Sequence, residues 1–134
     1  MAIVTLSYKG DEEFISENQH GNKLDIDMLP SDQKNHQSPM EVLLSSVAAC
    51  AAVDIVSMIK KRRKTFVDLR AEVGGERREE HPRGYTSIDI KYIITSPDLK
   101  EEELARIIDL AVNNYCSVAA TLKCELTHSF EIVR

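Results

Sequence analysis

The chain has 134 residues, 43% of them hydrophobic and 29% charged, with a net charge of -5 at pH 7 and a pI near 5.4. That size and balance suit one folded domain over residues 1–134 and exclude a disordered chain. Acidity speaks against nucleic acid as a partner, because phosphate binding needs clustered cations, and three cysteines are too few and too odd in number for a secreted disulfide framework.

The first ten residues, MAIVTLSYKG, carry no basic stretch leading into an apolar run and a small-residue cleavage site, so a cytoplasmic protein is expected. Residues 3–8, 12–17 and 23–28 are short strand-like runs separated by Lys-Gly-Asp and His-Gly-Asn turn signals, which predict an antiparallel meander. Residues 29–38 are polar and aperiodic, an exposed connection.

Ser38-Pro39-Met40-Glu41 opens a helix with an N-cap serine, a proline at the first helical position and a glutamate that closes a capping box. The helix is expected to run to about Arg63 and to end in the cations Lys60 to Lys64, which complement its negative end. Between Val42 and Val53 every residue is apolar or serine, the pattern of a helix buried on all sides, and such a stretch is too short for a bilayer, which takes roughly 20 residues. Residues 66–75 and 85–95 alternate as a hairpin around a polar loop. A second helix is predicted over 100–115 with Leu104, Ile107, Ile108 and Val112 on one face, then a break at Tyr115-Cys116-Ser117, a helical turn over 118–122 and a last strand over 124–133.

Cys50 lies mid-way along the apolar helix, and Cys116 lies at a helix junction. A helix N-terminus lowers a thiol pKa and apolar surroundings raise it, so local placement alone favours Cys116 as the thiolate and leaves Cys50 inert, or both as small core residues. Asp54 stands one turn after Cys50 on the same face; it marks either the helix emerging into solvent or a buried carboxylate that needs a partner. Glu41 fits its capping role, and nine residues before Cys50 it projects from the opposite face, about 13 Å away along the axis. Cys124 and His128 face one side of a strand, but two ligands do not make a metal site, and no metal or cofactor is expected. The cations of 60–64 suit a solvated helix end better than a docking patch.

The segments Pro39-Met40-Glu41-Val42-Leu43-Leu44-Ser45-Ser46-Val47-Ala48-Ala49-Cys50 and Asn114-Tyr115-Cys116-Ser117-Val118 resemble the two cysteine motifs of the OsmC/Ohr family of peroxide-stress proteins. The segment from Glu72 to Tyr85 looks especially like the YhfA-related branch, and the matching order covers roughly residues 38–133. The resemblance implies an α+β fold: an intertwined homodimer whose antiparallel and mixed sheets wrap round a long buried central helix. It implies reduction of organic hydroperoxides or hydrogen peroxide, with Cys50 as peroxidatic thiol, Cys116 as resolving thiol, Glu41 in the catalytic set and a dithiol reductant as partner. The family's peroxidases hold the thiolate with an N-terminal arginine that a glutamate holds in turn. This chain has no arginine before Arg62, only Lys9, Lys23 and Lys34, and its glutamate stands two residues after the proline where the organic hydroperoxide resistance branch has it one after. Two alternatives therefore stand beside the peroxidase: a non-catalytic dimer that binds an apolar small molecule, and a redox sensor. Neither nucleic acid nor membrane is an expected partner.

Overall fold

A computed structural model describes residues 1–134. The elements run β1 (Val4–Gly10), β2 (Glu13–Asn18), β3 (Lys23–Asp27), α1 (Pro39–Lys61), β4 (Asp68–Arg77), β5 (Tyr85–Thr95), α2 (Glu101–Leu110), a π-helical turn (Ala111–Tyr115), α3 (Ser117–Thr121) and β6 (Glu125–Val133). The class is α+β, with two three-stranded sheets ordered β1-β2-β3 and β4-β5-β6. The chain divides into two compact units, 1–43 and 44–134.

In the first unit the predicted meander forms, with β2 antiparallel to both neighbours and Tyr8, Phe14 and Ile26 in one cross-strand row. Positive φ at Gly10 and Asp11 turns the chain from β1 into β2. The connection after β3 is tied down, contrary to its polar and aperiodic sequence. Asp27 is fully buried, and its carboxylate accepts from Lys34 Nζ at 2.6 Å, Asn35 N at 2.9 Å, His36 N at 2.6 Å and Leu29 N at 3.2 Å. A buried carboxylate must find such donors, and here the loop folds round it to supply them. Burial pushes this carboxyl up, but the four hydrogen bonds outweigh it and hold the pKa at about 2. The expected capping box starts α1: Ser38 N and Oγ both donate to Glu41 Oε1 at 2.9 Å, and Glu41 N donates to Ser38 Oγ at 3.2 Å.

In the second unit β4 and β5 form the expected hairpin, while β6 pairs parallel to β5. Parallel pairing requires a crossover, which α2, the π-helical turn and α3 provide. Strand alternation sends Ile88, Ile90, Tyr92 and Ile94 into the core, where they meet Leu104, Ile107, Ile108 and Val112 of the second helical segment. The cations that follow α1 are largely occupied within this unit: Lys60 lies over the Phe66 ring, and Arg62 and Lys64 pair with Glu103. The helix stops at Lys61 because Arg63 adopts φ 59°, so that Lys64 N bonds Ile59 O and Arg63 N bonds Lys60 O in a Schellman closure.

One expectation for α1 needs correction. Val47, Ala48, Ala51, Ile55 and Ile59 are buried, but Ser45, Ala49 and Val53 form an exposed stripe, with Val53 70% exposed. Burial on all sides is therefore not achieved within one chain, because sheet β4-β5-β6 and α2 offer one apolar layer and cover one face. The helix as a whole is also long and apolar enough, by length and composition, to cross a membrane. The uncharged run stops at Asp54, yet Ile55, Val56, Met58 and Ile59 beyond it are apolar again.

Candidate functional site

Cys50 and Cys116 come together in the second unit. The π-helical turn widens the end of the second helical segment, and Cys116, extended at φ -72° and ψ 108°, breaks it and becomes the N-cap of α3. A helix start leaves its first N–H groups without intrahelical partners. Here they serve two sulfurs. Ala119 N donates to Cys116 Sγ at 3.3 Å, and the N–H groups of Val118 and Ser117 act on Cys50 in favour of its thiolate. The Cys116 thiol is buried, donates to Val47 O at 3.7 Å and neighbours Cys50, each thiol acting on the other's acidity. All three cysteines are free, so the two thiols face each other unbonded.

Their acidities diverge. The Val118 N–H holds the Cys50 thiol below its ordinary pKa against the opposing effect of burial, with help from Cys116 and Ser117, while the Asp54 carboxylate works the other way. Burial pushes the Cys116 thiol up more strongly than the Ala119 N–H lowers it, and the neighbouring Cys50 raises it further. Local placement predicts the opposite ranking. The first amides of α3 are shared between the two sulfurs: the Val118 and Ser117 N–H groups favour the Cys50 thiolate, while burial of Cys116 outweighs what its own helix start gives it.

Tyr92 is the member of this cluster that the sequence conceals within a strand alternation. It is fully buried on β5, its hydroxyl donates to Ala48 O at 2.8 Å, and burial together with the charges of Cys116 and Cys50 pushes its pKa up. An inward tyrosine among isoleucines is the available signal, because a buried phenol needs an acceptor.

Asp54 is half-exposed and lines an open cleft of about 270 Å³ with Ser57, Met58, Lys61 and Tyr115, so it marks the emergence of the helix. The Glu41 carboxylate is committed to Ser38, which lowers its pKa. Cys124 precedes β6, and His128 Nε2 lies 3.6 Å from Asp109 Oδ1. No three His, Cys, Asp or Glu side chains are arranged to hold a metal ion. Each N-terminal lysine meets a carboxylate: Lys9 with Asp25 at 2.8 Å, Lys23 with Glu17 at 3.7 Å and Lys34 with Asp27 at 2.6 Å.

The family model for OsmC-like protein matches residues 31–131, a span that contains both thiols and the helix between. The chain belongs to the OsmC-like family. It is 39% identical to Protein YhfA of Escherichia coli K12 over 122 residues, which cover 90% of each chain. In the solved OsmC-like protein of Mycoplasma pneumoniae the same fold recurs at 21% identity with a TM-score of 0.86, over 100% of this chain and 98% of that one. The organic hydroperoxide resistance protein OhrB of Bacillus subtilis shares it at 17% identity with a TM-score of 0.63, over 99% and 98%.

Proposed function

We propose that this OsmC-like protein is a thiol peroxidase that reduces organic hydroperoxides or hydrogen peroxide through Cys50 and Cys116. One observation carries the reading: Cys50 and Cys116, both free thiols, meet at the start of α3, whose backbone N–H groups hold the Cys50 thiol below its ordinary pKa. A relative named for organic hydroperoxide resistance, OhrB, supports the substrate class.

The Cys50 thiolate attacks the outer peroxide oxygen, the O–O bond breaks, and the alkoxide leaves as an alcohol after taking a proton. Cys50 is then a sulfenic acid. Cys116 gives up its proton, its sulfur attacks the Cys50 sulfur, and water departs as the disulfide forms. A dithiol reductant restores both thiols by exchange and becomes a disulfide itself. Glu41 enters as the cap that fixes the first turn of α1. With no arginine before Arg62, the thiolate relies on the α3 amides.

The proposed assembly is a homodimer in the cytosol, where free cysteines stay reduced. Two apolar surfaces await a cover: the sheet face of Val4, Leu6, Tyr8 and Leu24, and the Val53 stripe of α1. Sedimentation at micromolar concentration is expected to give a dimer.

The deciding experiment is cumene hydroperoxide consumption with mass-spectrometric mapping of cysteine products. A rapid reaction with a Cys50–Cys116 bond, lost in Cys50→Ser, supports the proposal, and unchanged turnover in Cys50→Ser removes it. One observation favours a second reading, a dimer that binds an apolar small molecule without turnover: all three N-terminal lysines are already paired with carboxylates. Slow, unselective oxidation would favour that reading.

A further inference from the structure

Two adjacent carbonyls of α1, those of Val47 and Ala48, each accept a second hydrogen bond from a buried side chain. Cys116 donates its S–H to Val47 O at 3.7 Å, and Tyr92 donates its O–H to Ala48 O at 2.8 Å. These carbonyls belong to the turn that leads into Cys50. The two anchors differ in durability. Disulfide formation consumes the Cys116 proton and removes the bond to Val47, whereas the Tyr92 bond involves no atom that reacts.

We infer that Tyr92 is a positioning residue for the thiol pair: its hydroxyl fixes the Val47–Cys50 turn against β5, keeping Cys50 within reach of Cys116 before and after oxidation. The inference rests on the proposed thiol pair, not on the identity of any peroxide. Tyr92 suits the task because β5 is the middle strand of its sheet, bonded on both edges, and because a fully buried ring has no other place to go. Pre-organisation of two reacting groups raises their effective molarity, and a buried hydrogen bond of ordinary net strength corresponds to about a fivefold effect.

The test measures the effective molarity of the Cys50–Cys116 disulfide in glutathione redox buffers, so it does not depend on peroxide turnover. Tyr92→Phe, which removes only the hydroxyl, is expected to lower that value about fivefold. The control is Thr127→Val, which removes the 2.6 Å bond from Thr127 Oγ1 to Asp89 on the exposed side of the same sheet. It is expected to leave the value unchanged even where stability falls. An unchanged value in Tyr92→Phe, an equal loss in Thr127→Val, or no Cys50–Cys116 disulfide in the wild type would each overturn the inference. If peroxide is consumed slowly while the glutathione equilibrium behaves as described, the peroxidase proposal fails and the positioning role stands. Should Tyr92→Phe not fold, wild-type protein labelled with ¹³C at tyrosine Cζ gives the answer. The Tyr92 resonance is expected to keep the shift of a hydrogen-bonded phenol in both dithiol and disulfide, and the shift of a free phenol in either state overturns the inference.

Discussion

Asp54 stands one helical turn beyond Cys50 on α1, and its carboxylate opposes the backbone N–H groups that favour the Cys50 thiolate. The first prediction follows from the sign of that interaction. Negative charge nearby disfavours ionisation of the thiol, so Asp54→Asn is expected to lower the Cys50 pKa further. The check is the rate of iodoacetamide alkylation at Cys50 against pH, resolved by peptide mass spectrometry. Its midpoint should move to lower pH, and a move to higher pH would mean that Asp54 aids the thiolate through a donor it orients.

Cys116 combines two roles that separate by substitution. As N-cap of α3 it accepts from Ala119 N, and as a thiol it donates towards Val47. Serine can do both, whereas alanine can do neither. Cys116→Ala is therefore expected to lose about 1 kcal/mol of stability, the usual worth of an N-cap, while Cys116→Ser stays near wild type. Both variants abolish the disulfide. Thermal unfolding of the reduced proteins checks the first statement and non-reducing mass analysis the second. Equal stability in the two variants would remove the capping role.

Most of the backbone was legible from the sequence because its signals are local. Ser38, Pro39 and Glu41 specify a helix start whichever tertiary partner follows, and alternation in Ser87 to Ile94 specifies which side chains of β5 face inward. What escaped depends on contacts between distant segments. Cys116 precedes a helix in the sequence, but only the packing of α3 against α1 reveals that the Val118 and Ser117 amides serve Cys50. The buried Asp27 looked like one more polar residue ending a strand, and Lys34 and His36, which satisfy it, lay in a stretch without period. The open stripe through Ser45, Ala49 and Val53 was hidden for another reason: an uncharged helix reads as buried whether its cover comes from its own chain or another.

Asp27 gives a pH prediction. Its folded pKa, about 2, lies below the ordinary 3.8, so the folded state favours the ionised form. Its contribution to stability is complete above pH 3.8 and is lost as the pH falls through about 2. Asp27→Asn removes this dependence and leaves Lys34 without its counter-charge. Urea unfolding between pH 2 and pH 5 is expected to show a shallower acid slope in the variant, with lower stability at neutral pH. An unchanged slope would place the acid sensitivity elsewhere, with Glu41 the next group to test.

Gly75 offers the sharpest steric prediction, because its neighbour Gly74 is its own control. A Cβ added at Gly75 would lie 2.5 Å from Cδ1 and Cε1 of the Tyr85 ring, whereas one added at Gly74 would meet nothing within 4 Å. Neither glycine has a positive φ, so backbone strain does not enter. Alanine in a strand interior ordinarily gains roughly 0.5–1 kcal/mol over glycine, and Gly74→Ala is expected to show that gain. Gly75→Ala is expected to lose about 1–3 kcal/mol instead, since the ring must leave its position over the backbone. Removing the ring should reverse the sign: in a Tyr85→Ala background Gly75→Ala is expected to be stabilising. The coupling measured by that double-mutant cycle is then the collision energy itself, and a cycle that closes without coupling would show that the loss in Gly75→Ala has another origin.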